Sequence, residues 1–211
     1  MLEIEKKFDR LTPEQRARLI EGAQFVATVH NVDVYYDDAR YSLTTQDRWL
    51  RQRNGAWVLK LPLQDRSDPN HKADFDHYRE LEEPVKIAQA LGLVWPSVVV
   101  ITDREQLQIM LAAIGIVPFA TIDATREKYC HGRFTIDIDQ TTFGYELAEI
   151  EAEAANEDDI EATSKAVTDF ALTCGLTMRP VRGKLPEFLL RHNRDHYDAL
   201  VRAGVVTHYE S

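Results

Sequence analysis

Like charges stand two residues apart at several places in this chain: Glu3 and Glu5 around Ile4, Asp137 and Asp139 around Ile138, Glu149 and Glu151 around Ile150, and Arg51 with Arg53 as the basic counterpart. An extended strand puts residues i and i+2 on one face, so each segment reads as a strand with a charged side and a side available for packing. For any one pair a solvated, salt-bridged sheet face is the bland explanation. Repeated acidic pairs alter the weighing, because neighbouring carboxylates repel unless a cation lies between them. A hard divalent ion such as Mg²⁺ fits that demand, taking carboxylate oxygens and completing its shell with water and phosphate oxygens. The basic residues supply charge-assisted donors for the same phosphates. Acids and bases together point to a metal-bound polyphosphate, held on charged faces that would line the interior if the sheet curls into a barrel.

Composition narrows the setting. With 211 residues, 44% of them hydrophobic and 28% charged, the chain suits one ordinary globular domain spanning residues 1–211. Its formal charge of −10 opposes nucleic acid and anionic membranes as partners. Cys130 and Cys174 form no C-x-x-C arrangement, which fits a reducing compartment and no thiolate zinc. Met1 to Lys7 carries charge where a signal peptide needs an apolar run, and the longest apolar run, 93–101, is interrupted by Pro96 and Ser97. The expectation is a cytoplasmic, unanchored monomer.

Along the chain, alternation predicts a first strand from Leu2 to Phe8, and Thr12-Pro13-Glu14-Gln15 predicts a capped helix stopped by Gly22. Strands are expected over 25–36 and on both sides of Asn54-Gly55, a hairpin signal. The polar stretch 64–76 reads as a loop and candidate lid before a strand at 77–82. Helices follow over 85–91 and 104–114, then strands over 121–129, 133–139 and 145–152. Asn156 is expected to cap one helix reaching Cys174, and Pro186 to start a last helix running to Ala203. Strands in antiparallel runs favour an α+β fold over a doubly wound sheet.

Other chemistry is excluded by its missing residues. Gly183-Lys184 is followed by Leu185 and lacks the upstream glycine of a phosphate-binding loop, and there is no G-x-S-x-G elbow. His192 and His196 lack the Glu of H-E-x-x-H and neighbour Arg191 and Arg194, so they read as a solvated helix face. Tyr35 and Tyr36 read as core or wall aromatics. Trp49 shares parity with Arg51 and Arg53 and can stack on a flat ligand ring beside the phosphates.

The opening Glu3-Ile4-Glu5-Lys6-Lys7 resembles the ExExK signature of the CYTH, or triphosphate tunnel metalloenzyme, superfamily. The likeness continues through Tyr35-Tyr36-Asp37, Trp49-Leu50-Arg51-Gln52-Arg53, Trp57 to Lys60, Tyr78 to Leu81, Arg126, Asp137-Ile138-Asp139, Phe143-Gly144-Tyr145, Glu149-Ile150-Glu151 and Gly183-Lys184-Leu185. Within the superfamily these segments are similar to the animal-type thiamine triphosphatases. The resemblance implies a closed eight-stranded antiparallel β-barrel, a tunnel flanked by helices, and Mg²⁺-dependent hydrolysis of thiamine triphosphate to thiamine diphosphate and phosphate. It implies one or two Mg²⁺, with Mn²⁺ as a substitute, on Glu3, Glu5, Asp137, Asp139, Glu149 and Glu151. Lys7, Arg51, Arg53, Lys60, Arg126 and Lys184 would hold the triphosphate, with Trp49 and Glu80 among the substrate contacts. The departures are Asp38 after Tyr-Tyr-Asp and Leu63 after Pro62, neither in the charged set.

Terminal phosphoryl hydrolysis asks a protein mainly for positioning and charge neutralisation. The attacking water is activated either by a second metal ion or by Tyr35 paired with Lys60, which resembles the dyad assigned that role in thiamine triphosphatases. The alternatives are an inorganic triphosphatase, a class IV-type adenylyl cyclase, or a non-catalytic polyphosphate-binding module.

Overall fold

Why eight strands can hide so much charge is answered by how they close. The computed structural model describes residues 2–62, 76–92 and 103–206. Its strands are β1 (Leu2–Asp9), β2 (Gln24–Asp37), β3 (Trp49–Arg53), β4 (Ala56–Pro62), β5 (Asp76–Leu81), β6 (Val117–His131), β7 (Phe134–Thr141) and β8 (Glu146–Ala154). They form a closed barrel in the order β1-β5-β4-β3-β2-β6-β7-β8. The paired strands run antiparallel, as in β1 with β8 and β3 with β4. Closure leaves no unpaired edge. The expected α+β barrel is therefore the observed fold. The candidate lid at 64–76 lies, up to residue 75, outside the described residues, as does the 93–101 run.

The chain resolves into two compact units that interleave in sequence. The first comprises Met1–Asn31, Pro62–Arg79 and Ile122–His192; the second comprises Val32–Leu61, Glu80–Thr121 and Asn193–Ser211. In the first, the apolar sides of β1, β7 and β8 bury Phe8, Ile136, Ile138, Ala148 and Ile150 against Leu19 of α1 (Pro13–Ile20) and Val167 and Ala171 of α4 (Ile160–Thr173). Burying the Phe, Leu, Ile and Val side chains of this set contributes about 1.5–3 kcal/mol each. The expected capping box starts α1, with Thr12 and Gln15 exchanging side-chain and backbone bonds. In the second unit Leu50, Trp57 and Leu59 pack on Ile87 of α2 (Pro84–Ala90) and Leu107 and Leu111 of α3 (Arg104–Ala113). Asn54 and Gly55 both adopt positive φ, 50° and 82°, which closes the β3–β4 hairpin at the expected place.

Three readings need correction. The stretch after Asn156 opens with a 3-10 turn, Glu157–Asp159, before α4, because the Asn156 side chain accepts from the amides of both Asp158 and Asp159. The last helix is two helices, α5 (Lys184–His192) and α6 (Arg194–Arg202), with Asn193 between them. Its φ of −147° breaks the spiral, and its side chain accepts from the His196 amide to start α6. The break removes His196 from the face carrying His192. It is fully buried, not solvated, and stacks on Tyr41 with ring centres 3.8 Å apart. Among the described residues no helix is long and apolar enough to cross a membrane.

Candidate active site

In the first unit, strand register puts acid against acid. Glu5 stands opposite Glu151 and Lys7 opposite Glu149 across β1 and β8, while Asp137 stands opposite Glu149 across β7 and β8. These side chains occupy the faces turned away from the helices, and Glu5, Asp137, Asp139 and Glu149 are all buried. Carboxylate oxygens of Glu3, Glu5 and Glu151 lie within 4.8 Å of one another, as do those of Asp137, Glu149 and Glu151. Glu151 thus belongs to both groups. Burial, and then the charges of Glu5, Glu149 and Asp137, push its carboxyl well above the usual range. Asp137 is also pushed up, chiefly by burial, even though Arg126 and Lys128 oppose the shift. Its Oδ1 is buried without a hydrogen-bond partner.

The bases of this unit are held by the acids. Arg126 donates from Nε to Asp139 at 2.8 Å, from one terminal nitrogen to Asp139 and Glu149 at 2.6 Å each, and from the other to Asp137. Lys7 bonds Glu5, and Lys184 bonds Asp139 and reaches Glu149 at 3.4 Å. Six residues expected to be metal ligands and three expected to be phosphate ligands are thereby gathered into adjoining groups of one charged face.

The second unit carries the basic pair. Trp49, Arg51 and Arg53 share a face of β3, and register sets Arg51 opposite Tyr35, Arg53 opposite Asp33 and Trp49 opposite Lys60. Arg53 grips Asp33 with two bonds, at 2.7 and 2.8 Å. Arg51 lies 3.5 Å from the same carboxylate and donates weakly to the Tyr35 hydroxyl at 3.5 Å. Burial disfavours the Arg51 charge, yet Tyr35, Asp33 and Glu80 more than restore it and raise its pKa. Lys60 binds Glu80 at 3.0 Å. Burial would raise the Glu80 carboxyl, but Lys60 and then Arg51 hold it below its ordinary range. Tyr35 and Lys60 sit on β2 and β4, strands that flank β3. The indole N–H of Trp49 donates to Asp47 at 2.9 Å, which fixes the ring's tilt.

Asp33 escaped the sequence reading, although it stands two residues before Tyr35 and the same parity argument reaches it. Asp47 carried no such signal. It is buried with φ at 59°, a turn conformation that parity does not describe.

Set beside known proteins, the chain matches the CYTH domain family over residues 1–177. It is 27% identical to the thiamine-triphosphatase of Macaca fascicularis and 25% identical to that of Homo sapiens, in each case over 97% of this chain and 91% of the relative. Among solved structures it is similar to the PH1819 protein from Pyrococcus horikoshii OT3, with a TM-score of 0.64 at 20% identity, covering 90% of this chain and 99% of that one.

Proposed function

The chain belongs to the CYTH domain family, and from that premise we propose that it is a Mg²⁺-dependent hydrolase that converts thiamine triphosphate to thiamine diphosphate and phosphate, with residues 1–211 acting as one domain. The observation that carries the reading is Glu151, a partly buried carboxyl shared by two carboxylate groups and repelled by both. A fold does not keep such an arrangement for stability, since each like-charge contact is unfavourable. The unpartnered Oδ1 of buried Asp137 fits the same demand for a cation. Glu3, Glu5 and Glu151 would hold one ion, and Asp137, Glu149 and Glu151 a second, with Asp139 turned to Arg126 and Lys184. Mn²⁺ would substitute.

When bound, the ion supplies neutralisation of the phosphoryl charge and a lowered pKa for attacking water. In the first unit Lys7, Arg126 and Lys184 bind phosphoryl oxygens by exchanging carboxylate partners for phosphate. In the second, Arg51 and Arg53 offer guanidinium forks to phosphate, aimed by Asp33, with Glu80 beside Arg51 and Lys60. Lys60 adds a point charge, while Trp49, tethered by Asp47, presents its ring to the thiamine group. Tyr35 accepts from Arg51, so its part in this reading is to orient a phosphate ligand rather than to take the proton of water.

The test is a substrate panel of thiamine triphosphate, inorganic triphosphate and ATP, each with Mg²⁺, Mn²⁺, Ca²⁺ or chelator. The expected result is fastest turnover of thiamine triphosphate with Mg²⁺ and none with chelator. Faster cleavage of inorganic triphosphate would reassign the substrate, cyclic AMP from ATP would make it a cyclase, and turnover in chelator would remove the metal.

A further inference from the structure

Lys184 is a buried lysine whose ammonium reaches Asp139 and Glu149 from outside the barrel strands. It opens α5, and the eight residues before it, 176–183, form neither helix nor strand. Where the ammonium ends up therefore depends on what fastens the strap at Arg182 and Gly183. Two buried side chains do so.

The Tyr145 hydroxyl donates to the Arg182 carbonyl at 2.7 Å. Tyr145 is itself pinned to the β7–β8 turn, since its amide donates to the Thr141 hydroxyl at 2.9 Å and its carbonyl accepts from the Thr141 amide at 3.0 Å. That turn joins the strands bearing Asp137, Asp139 and Glu149. Glu187, one turn into α5, accepts from Arg182 Nε at 2.7 Å and from Arg191 Nε at 2.9 Å, and its amide donates to the Gly183 carbonyl at 3.1 Å. Arg191 in turn donates to the Phe143 carbonyl at 3.1 Å, in the same β7–β8 turn. The strap lies close to another base: a Cβ at Gly183 would stand 3.4 Å from Cε of Lys7.

We propose that Glu187 and Tyr145 are positioning residues for Lys184, locking the strap in register with β7 and β8 so that its ammonium bears on Asp139 and Glu149. The inference rests on the reading of those acids as part of a cation site. Glu149 belongs to the group with Asp137 and Glu151, so the Lys184 charge opposes a cation there and sets how tightly it is held. Loosening the strap weakens that opposition.

The experiment is calorimetric titration of the full chain with Mn²⁺ alone, in a double-mutant cycle. Lys184→Ala should tighten Mn²⁺ binding about tenfold, and Glu187→Gln and Tyr145→Phe about threefold each. In the Lys184→Ala background the two strap substitutions should change nothing, which a general loosening of α5 would not produce. KM and kcat for thiamine triphosphate give a second readout: the strap variants raise KM while Lys184 is present and leave it unchanged once Lys184 is alanine. Equal effects with and without Lys184 would overturn the inference while leaving the metal site standing. Wild-type protein that binds no Mn²⁺ would overturn both, and that result is read from the first titration alone.

Discussion

In the first unit two carboxyls of the charged strand face, those of Glu151 and Asp137, are pushed up, whereas in the second the Glu80 carboxyl of the corresponding face is held down. Glu151 and Asp137 sit among other acids and are driven toward the neutral form by burial and repulsion. Glu80 is partly buried, yet Lys60 and Arg51 hold its carboxyl below the ordinary range. Both faces come from the same period-two device. What differs is which charge is in excess, and under the proposed function that difference suits them to opposite ligands, a cation for one and an anion for the other. A surplus of either sign in a partly buried setting is costly, and under the proposed function a bound ligand would offset it.

The hardest blow to this contrast is Glu151→Gln, which removes the carboxylate common to both acid groups at nearly constant volume. Hydrolysis should fall by roughly 10³-fold, about 4 kcal/mol at the transition state. Melting in chelator should move the other way and rise, because a repelled charge is gone. The pH dependence carries the same sign. A carboxyl whose folded pKa lies above its unfolded value binds protons preferentially in the folded state, so stability in chelator falls as pH rises from the unfolded pKa through the folded one. The variant should lose that component. Unchanged melting in chelator together with full activity would erase the difference between the two faces.

The second unit contains a buried group of opposite temperament. His196 Nε2–H donates to Thr44 Oγ1, 2.8 Å away, because the one hydroxyl proton of Thr44 is donated to Asp37 at 2.7 Å. Burial lowers its pKa to about 4, although Asp37 opposes the shift. A base depressed in the folded state is protonated first in the unfolded chain, so stability is complete above about pH 6.5 and declines as pH falls toward 4. The loss should approach about 3 kcal/mol. Denaturant melts of wild type and His196→Gln across that range would show it, with the variant nearly flat. An identical slope in both would place the acid sensitivity elsewhere.

How much of this was legible in the sequence depended on range. Period-two charge with an apolar counterface is local, so β1, β7, β8 and the β3–β4 hairpin could be read from their own residues. The ligand faces came with them, since the parity that buries Ile136 and Ile138 aims Asp137 and Asp139 the other way. The break at Asn193 was hidden because Pro186 to Ala203 contains good helix formers, and one asparagine acts as a start signal inside the run. His196 looked solvated beside Arg191 and Arg194. Its burial is set by Thr44, Tyr41 and Phe119, all distant in sequence. Tyr145 is of the same kind, since the carbonyl that its hydroxyl meets belongs to Arg182, 37 residues further along the chain.

A smaller test turns on Arg53, whose fork is closed on Asp33. If the basic face serves phosphate, Arg53→Ala should raise KM for thiamine triphosphate and inorganic triphosphate by similar factors, worth about 2 kcal/mol, because phosphate contacts ignore the leaving group. A defect confined to thiamine triphosphate would mean that Arg53 reads the organic part and would blur the line drawn between the basic face and Trp49.

The smallest effect isolates Trp49, which lies on the same face of β3 as Arg51 and Arg53 but carries no charge. If its ring stacks on the cationic heterocycle, Trp49→Ala should lose ~1–2 kcal/mol for thiamine triphosphate and almost nothing for inorganic triphosphate, which has no ring. Asp47 sharpens the point. Its carboxylate accepts the indole N–H at 2.9 Å and so both fixes the ring and enriches its face in electron density. Asp47→Ala should therefore reproduce a fraction of the Trp49 loss, about 0.5–1 kcal/mol, again for the ring-bearing substrate alone. Because Asp47 is buried at the end of a turn, folding damage is separated by taking the ratio of kcat/KM for the two substrates, in which a smaller folded fraction cancels. An unchanged ratio in Trp49→Ala would make the indole a wall of the strand face, with the discrimination of substrates carried by the charged residues around it.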